Sequence, residues 1–119
     1  VVIVDTEAGV EHFGRGMAGE ADIVLGVVDP TAESFRMAQK ITEMAQNANA
    51  AAYFVLNKVE PGIEEAMLRH LDGESVIGRI PKNNDIFIDS LEGRILSARL
   101  PEIDAVCKEI GTRHGLLAA

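Results

Sequence analysis

The first nine residues of this 119-residue chain combine residue types that bind metal and phosphate. Four apolar residues, Val1–Val4, lead into Asp5, and Gly9 follows four positions later. An unbroken apolar run is typical of a strand buried on both faces of a parallel sheet. Because such sheets bind ligands at the carboxyl ends of their strands, we expect Asp5 at a site, where a carboxylate commonly holds Mg²⁺ directly or through water. Gly9 would let a backbone N–H approach a phosphate, so the segment predicts the second half of a phosphate site.

Two further polar groups follow predicted strands. Asp29 precedes Pro30 and is expected to cap the next helix. Asn57 and Lys58 follow the apolar run Tyr53–Leu56. An Asn amide carries both a donor and an acceptor, so Asn57 is a candidate to contact the edge of a purine, with the Lys58 stem packed on the ring.

Strand and helix patterns alternate along the chain. Strands are predicted at Val1–Val4, Ile23–Val28, Ala52–Leu56 and Val76–Ile80. Helices are predicted at Thr31–Asn47, Gly62–Leu71 and Pro101–His114. This alternation is typical of βαβ units, and it predicts one α/β domain over residues 1–119 with a mainly parallel central sheet. Right-handed crossovers would then bring the strand carboxyl ends, with their polar residues, to one edge.

Composition excludes several classes of function. The chain has 11 Lys and Arg against 19 Asp and Glu, a formal net charge of −8. Nucleic-acid binding needs a basic face, so we expect no nucleic-acid partner, although backbone N–H groups and a metal can still hold a nucleotide. No apolar run reaches the length of a membrane span. The single cysteine, Cys107, fits a reducing cytoplasm, and its place on an apolar helical stripe predicts a buried, inert thiol.

The segment Asp5–Gly16 reads Asp-Thr-Glu-Ala-Gly-Val-Glu-His-Phe-Gly-Arg-Gly. It resembles the Walker B and switch II segment of the carbon monoxide dehydrogenase maturation ATPases of the CooC type. These belong with MinD, ParA and the nitrogenase iron protein among the deviant P-loop ATPases.

Three later segments extend this resemblance over nearly the whole chain, in the order that the family has. Val27–Thr31 with Ser34 is similar to the family's Val-Glu-Pro-x-x-x-Ser turn between a strand and a helix. Leu56–Val59 matches its Asn-Lys base-contact motif. Ile77–Pro81, followed by Asn84 and Asp85, resembles the Gly-x-Ile-Pro loop beside the adenine.

The resemblance implies a role for each matching position. Asp5 would be the Walker B acid, acting on Mg²⁺ through water, and Gly9 the switch II glycine whose N–H senses the γ-phosphate. Asn57 would contact adenine, with Lys58 beside it, and the Pro81 loop would line the base pocket. Family members are nucleotide-dependent dimers that load nickel into carbon monoxide dehydrogenase, so the resemblance implies that enzyme or another metalloenzyme as a partner.

The chain departs from the family in two motifs. It contains neither the P-loop with its two lysines nor the Cys-x-Cys pair that binds metal in the CooC branch. We therefore expect the carboxyl-terminal part of a longer CooC/MinD-like protein, a partial P-loop NTPase (Rossmann-like) three-layer domain. We expect it to belong to an ATPase but to be inactive alone. Without the rest of the sheet, the chain is expected to self-associate without nucleotide, either through pairing of the Val1–Val4 edge or through burial of the uncovered sheet face.

Two other classes of function remain open. A phosphoacceptor receiver domain has this size and also gathers aspartates and a lysine at strand ends. Asp5, however, has no acidic neighbour, and Lys58 follows the third predicted strand rather than the fifth. A non-catalytic interaction module is the other alternative, and the absence of a P-loop motif from the sequence favours it for this chain alone.

In the intact protein, Asp5→Ala is expected to abolish ATP hydrolysis and leave the fold unchanged. The acid ends a predicted strand at a solvent-facing edge, so its loss costs little packing, whereas Mg²⁺ loses an anchor. Phosphate release at saturating Mg-ATP measures the effect, with circular dichroism as the check on folding. Wild-type turnover in this variant would remove Asp5 from the site.

Overall fold

The computed structural model describes residues 1–6, 20–96 and 99–116. Three parallel strands form one sheet in the order β1-β2-β3: β1 Ile23–Val28, β2 Ala51–Val59 and β3 Val76–Pro81. Four α-helices accompany them in the described residues: α1 Ala32–Asn47, α2 Ile63–Leu68, α3 Asn84–Leu91 and α4 Pro101–His114. A short 3-10 helix at Gly73–Ser75 precedes β3. The prediction of an α/β fold with a parallel sheet is confirmed.

The ends of the helices follow from capping chemistry. The Thr31 hydroxyl accepts a hydrogen bond from the Ser34 N–H at 3.1 Å and so begins α1. The prediction that Asp29 caps this helix is therefore wrong. Helix α3, which the sequence patterns did not predict, is capped by Asn83, whose side chain accepts hydrogen bonds from the N–H groups of Asp85 and Ile86.

Helices cover both faces of the sheet. On one face, α1 and α2 bury a cluster around Phe54 and Leu56, which are 2% and 0% exposed. The rest of that cluster is Val28, Ala38, Met67 and Val76. On the other face, Val106 of α4 packs on Val55 and Ile77. The sheet thus lies between two helical layers, as a three-layer domain requires.

Helix α4 contacts the sheet along a narrower stripe than its apolar pattern predicts. Val106 is 5% exposed, whereas Ile103 is 42% exposed and Cys107 is also at the surface. The prediction of a buried Cys107 is therefore wrong. The reason is that α4 packs mainly on β3, so only a narrow stripe around Val106 touches the sheet.

Residues 1–4 do not form the predicted strand. Their side chains are 61–96% exposed, and residues 1–6 carry no regular secondary structure. A strand forms only where a neighbour satisfies its N–H and C=O groups, and the sheet of the described residues begins at β1. Beside that edge, Leu25 and Val27 of β1 are 43% and 62% exposed. They share a face with Tyr53 and Val55, their partners in β2.

In the described ranges, no helix combines the length and apolar character needed to cross a membrane.

Close packing at Gly78 yields a stability prediction. A Cβ placed on Gly78 would overlap Cγ2 of Val106, whereas one on Gly73 meets nothing within 4 Å. Gly78→Ala is therefore expected to lower the free energy of unfolding by about 1–3 kcal/mol. Gly73→Ala is the matched control and should change it by less than about 1 kcal/mol.

Urea unfolding followed by circular dichroism measures both variants. The double variant Gly78→Ala/Val106→Ala should lose less stability than the sum of the losses in the two single variants. The reason is that Val106→Ala removes the methyl group that the new Cβ would overlap. Additive effects of the two changes would contradict the predicted overlap.

Candidate functional site

Three polar side chains meet where β1 and β2 end. The parallel register pairs Val28 with Leu56, which brings the residues that follow each of them side by side. Asn57 Nδ2 donates to Asp29 Oδ1 at 2.9 Å, and Lys58 Nζ donates to Asp29 Oδ2 at 2.8 Å. One carboxylate thus binds both neighbours through separate oxygens. We call Asp29, Asn57 and Lys58 the strand-end cluster.

The cluster keeps its carboxylate charged. The hydrogen bond from Lys58 is the main cause that lowers the pKa of Asp29, and the hydrogen bond from Asn57 acts in the same direction. Partial burial opposes them by disfavouring the charged form. An ionised carboxylate only accepts hydrogen bonds, so Asn57 must present its NH₂ group to Asp29. The Lys58 and Asp29 side chains are 60% and 33% exposed, so their ion pair adds little stability, about 0.5 kcal/mol. Its main effect is to orient the Asp29 carboxylate.

The backbone of β2 leaves regular geometry at this cluster. Lys58 has φ 55°, a left-handed conformation that is costly for a residue with a side chain. The pairing of β2 with β3 shifts register between Leu56 and Val59, and the Lys82 N–H then donates to the Val59 carbonyl at 2.9 Å. Strained backbone of this kind is concentrated at functional sites in proteins.

The structure brings together three of the residues predicted to form a site. Asn57 and Lys58 are in direct contact with one carboxylate, and Pro81 ends β3 at the same edge, paired with Val59. Sequence reasoning treated Asp29 as a helix cap and missed its contact with Asn57. The rule that strand ends meet at one edge flagged Asp29, and the β1–β2 register would have identified its partner.

Of the two residues predicted for the phosphate side, only Asp5 is described, and it has no contact with the strand-end cluster among the described residues. Asp5 is exposed at the end of the irregular segment, and no hydrogen bond to its carboxylate is made within the described ranges. Gly9 lies outside the described residues. The roles predicted for Asp5 and Gly9 therefore stay predictions.

The strand-end cluster presents hydrogen-bonding groups that suit recognition of a base. Within residues 1–6, 20–96 and 99–116, no group of three His, Cys, Asp or Glu side chains is arranged to hold a metal ion. The Asn57 amide, half-buried and held on one side, retains an acceptor oxygen and a second N–H. A planar base that offers a complementary donor and acceptor along one edge fits this set.

A second group of side chains fastens α4 at the opposite end of the sheet. The Tyr53 hydroxyl lies 2.9 Å from His114 Nε2, and the Arg113 guanidinium stands 5.3 Å from the centre of the Tyr53 ring. Arg113 also donates to the Glu74 carbonyl at 3.1 Å and to the Glu109 carboxylate at 2.7 Å. The hydrogen bond to Glu109 is the main cause that raises the pKa of Arg113. This group joins structural elements and is a stabilising contact.

Comparison with known proteins finds relatives that are ATP-binding. No protein-family model matches the chain. An uncharacterized ATP-binding protein of Methanocaldococcus jannaschii is 43% identical over 106 residues, which cover 89% of this chain and 43% of the relative. A second uncharacterized ATP-binding protein of that organism is 32% identical over 114 residues, covering 92% of the chain and 45% of the relative.

The carbon monoxide dehydrogenase accessory protein CooC of Rhodospirillum rubrum is 30% identical over 120 residues. The alignment covers 99% of this chain and 43% of the relative. The chain thus spans less than half the length of each of these relatives. These similarities support the resemblance to CooC-like ATP-binding proteins over almost all of the chain.

The left-handed backbone of Lys58 yields a prediction that separates strain from charge. Lys58→Gly and Lys58→Ala both remove the ion pair with Asp29, but only glycine adopts φ 55° without strain. The glycine variant should therefore be the more stable of the two, by about 1 kcal/mol.

Lys82, exposed and 3.5 Å from Glu60, is the matched control because its backbone is not left-handed. There the order should reverse, since glycine costs more entropy on folding than alanine. Midpoints of urea unfolding give both differences. If Lys58→Ala is as stable as Lys58→Gly, the proposed backbone strain at Lys58 is contradicted.

Proposed function

We propose that this chain is the carboxyl-terminal part of a CooC-type ATP-binding protein and contributes the base-binding side of its nucleotide site. The observation that carries the proposal is the Asn57 amide, held by Asp29 at the carboxyl ends of two parallel strands. Ligands of open parallel sheets bind at this edge. Similarity to two proteins named as ATP-binding, over 89% and 92% of the chain, supports adenine as the base.

The proposal gives the site residues distinct tasks. Asn57 would hydrogen-bond the adenine edge, while the aliphatic stem of Lys58 and the ring of Pro81 would flank the base. Asp5 would help to hold Mg²⁺, and the Gly9 N–H would contact the γ-phosphate. A P-loop supplied by the rest of the protein would hold the phosphates. Phosphoryl transfer depends mainly on positioning and charge stabilisation, so we propose that the chain alone hydrolyses no ATP.

We further propose a role in metallocentre assembly for the intact protein. The supporting relative is described as an accessory protein of carbon monoxide dehydrogenase. In this proposal, ATP binding and hydrolysis would be coupled to dimer geometry and to nickel insertion into that enzyme. A free, exposed Cys107 is compatible with a reducing cytoplasm, where thiols stay reduced.

Self-association of the isolated chain is the remaining part of the proposal. Leu25 and Val27 are exposed on the face of β1, which is the outer strand of the sheet in the described residues, and Phe87 and Leu91 of α3 are 63% and 73% exposed. Apolar surface and an open strand edge both favour pairing with another chain. These residues also favour the second candidate function, a non-catalytic interaction module.

Asn57→Ala in the intact protein tests the base-binding role. The substitution removes the hydrogen bonds of the amide, so the affinity for ATP should fall about tenfold. The preference for ATP over GTP, measured as the ratio of their dissociation constants, should become smaller. Asn47→Ala, at the exposed end of α1 and remote from the strand-end cluster, is the matched control and should leave both unchanged.

Isothermal titration calorimetry measures both affinities. Unchanged ATP affinity and unchanged base preference in Asn57→Ala would retire Asn57 as the base contact. Failure of the unsubstituted intact protein to bind ATP would overturn the proposed function as a whole.

A further inference from the structure

We infer that Asp29 is a positioning residue that selects for a 6-amino purine by determining which way round the Asn57 amide stands. The inference rests on the proposed function, since it concerns the base that Asn57 contacts. Asp29 itself touches no base in this scheme. It acts only through the hydrogen bond that it accepts from Asn57 Nδ2 at 2.9 Å.

The orientation of an asparagine amide matters because its two ends carry opposite hydrogen-bonding character. The oxygen accepts and the NH₂ group donates, and in isolation the two can exchange places by rotation. A carboxylate at one end removes this freedom, because two acceptors repel each other. With Asp29 Oδ1 at the NH₂ group, the Asn57 oxygen is directed away from Asp29.

The direction of that oxygen distinguishes between bases. Adenine carries an amino donor at its C6 position, where guanine and hypoxanthine carry a carbonyl acceptor. A fixed acceptor on Asn57 therefore attracts the amino group and repels the carbonyl. The remaining Asn57 N–H is left to pair with a ring nitrogen of the same base edge.

Lys58 secures the position of the carboxylate in this arrangement. Its ammonium binds the other oxygen, Asp29 Oδ2, at 2.8 Å, so the carboxylate has contacts on both sides. The left-handed backbone at Lys58 turns its side chain toward Asp29 within the same strand that carries Asn57. One carboxylate therefore links the orientation of the amide to the geometry of the strand end.

The decisive experiment compares ATP with inosine triphosphate, which has a carbonyl where ATP has an amino group. In the intact protein, Asp29→Asn replaces the obligatory acceptor by a group that can donate or accept, so the Asn57 amide is free to rotate. The dissociation constant for inosine triphosphate divided by that for ATP should fall about tenfold. ATP should bind more weakly, and inosine triphosphate should bind equally well or more tightly.

Two further Asp29 variants and one control complete the test. Asp29→Ala removes the acceptor without adding a donor and should also narrow the ratio, which keeps the test decisive if Asp29→Asn fails to fold. Asp29→Glu keeps a carboxylate and should recover most of the preference. Glu60→Gln, in an exposed pair 3.5 Å from Lys82, makes the same change of charge at this edge and should leave the ratio unchanged.

Each outcome bears on a different statement. A folded Asp29→Asn or Asp29→Ala variant that keeps the wild-type ratio overturns the positioning role and leaves the proposed ATP binding intact. Equal loss of affinity for both nucleotides also overturns it, because that result indicates a structural role. Absence of ATP binding in the unsubstituted protein overturns the proposed function, and this inference with it.

Discussion

The pairing of β2 with a parallel strand on each side determines where Asp29, Asn57 and Lys58 meet. The strand is central in the three-stranded sheet, and Phe54, Val55 and Leu56 are at most 3% exposed. Burial of side chains of this size stabilises the fold by about 1.5–3 kcal/mol each. Because this apolar segment ends at Asn57, the energy that holds the strand in place also delivers the amide to the sheet edge. The register with β1 then makes Asp29 its neighbour.

The fold was largely predictable from periodicity, whereas the details of the site were not. Val76–Pro81 and Pro101–His114 lie within one residue of their predicted bounds, because apolar runs and a proline at a helix start are strong local signals. The predicted strand at Val1–Val4 has equally strong local character, but a strand also depends on a partner, which no single segment specifies. Cys107 illustrates the same limit, since its exposure depends on how far α4 extends across the sheet.

The role of Asp29 shows why site chemistry was harder to predict than topology. Two local rules, capping of the next helix and membership of a strand-end site, compete for the same residue type. Thr31 took the capping role, so the Asp29 carboxylate was available to Asn57 and Lys58. The left-handed backbone at Lys58 was unpredictable from local preference, because lysine rarely adopts it without help from its surroundings. Rules of local sequence identified the candidate residues, whereas only the register between β1 and β2 identified their contacts.

The contacts between Asp29, Asn57 and Lys58 lie within a single crossover, β1–α1–β2. The two contributing strands are joined by one helix, and their ends meet without help from distant parts of the chain. In the proposed base-binding role, a unit of this kind would change its base preference through one or two positions, without any change to the residues that hold the phosphates. Under that proposal, nucleotide choice and nucleotide hydrolysis would be able to evolve independently. Relatives that keep this crossover and exchange the acid at position 29 would be the natural place to find a changed nucleotide.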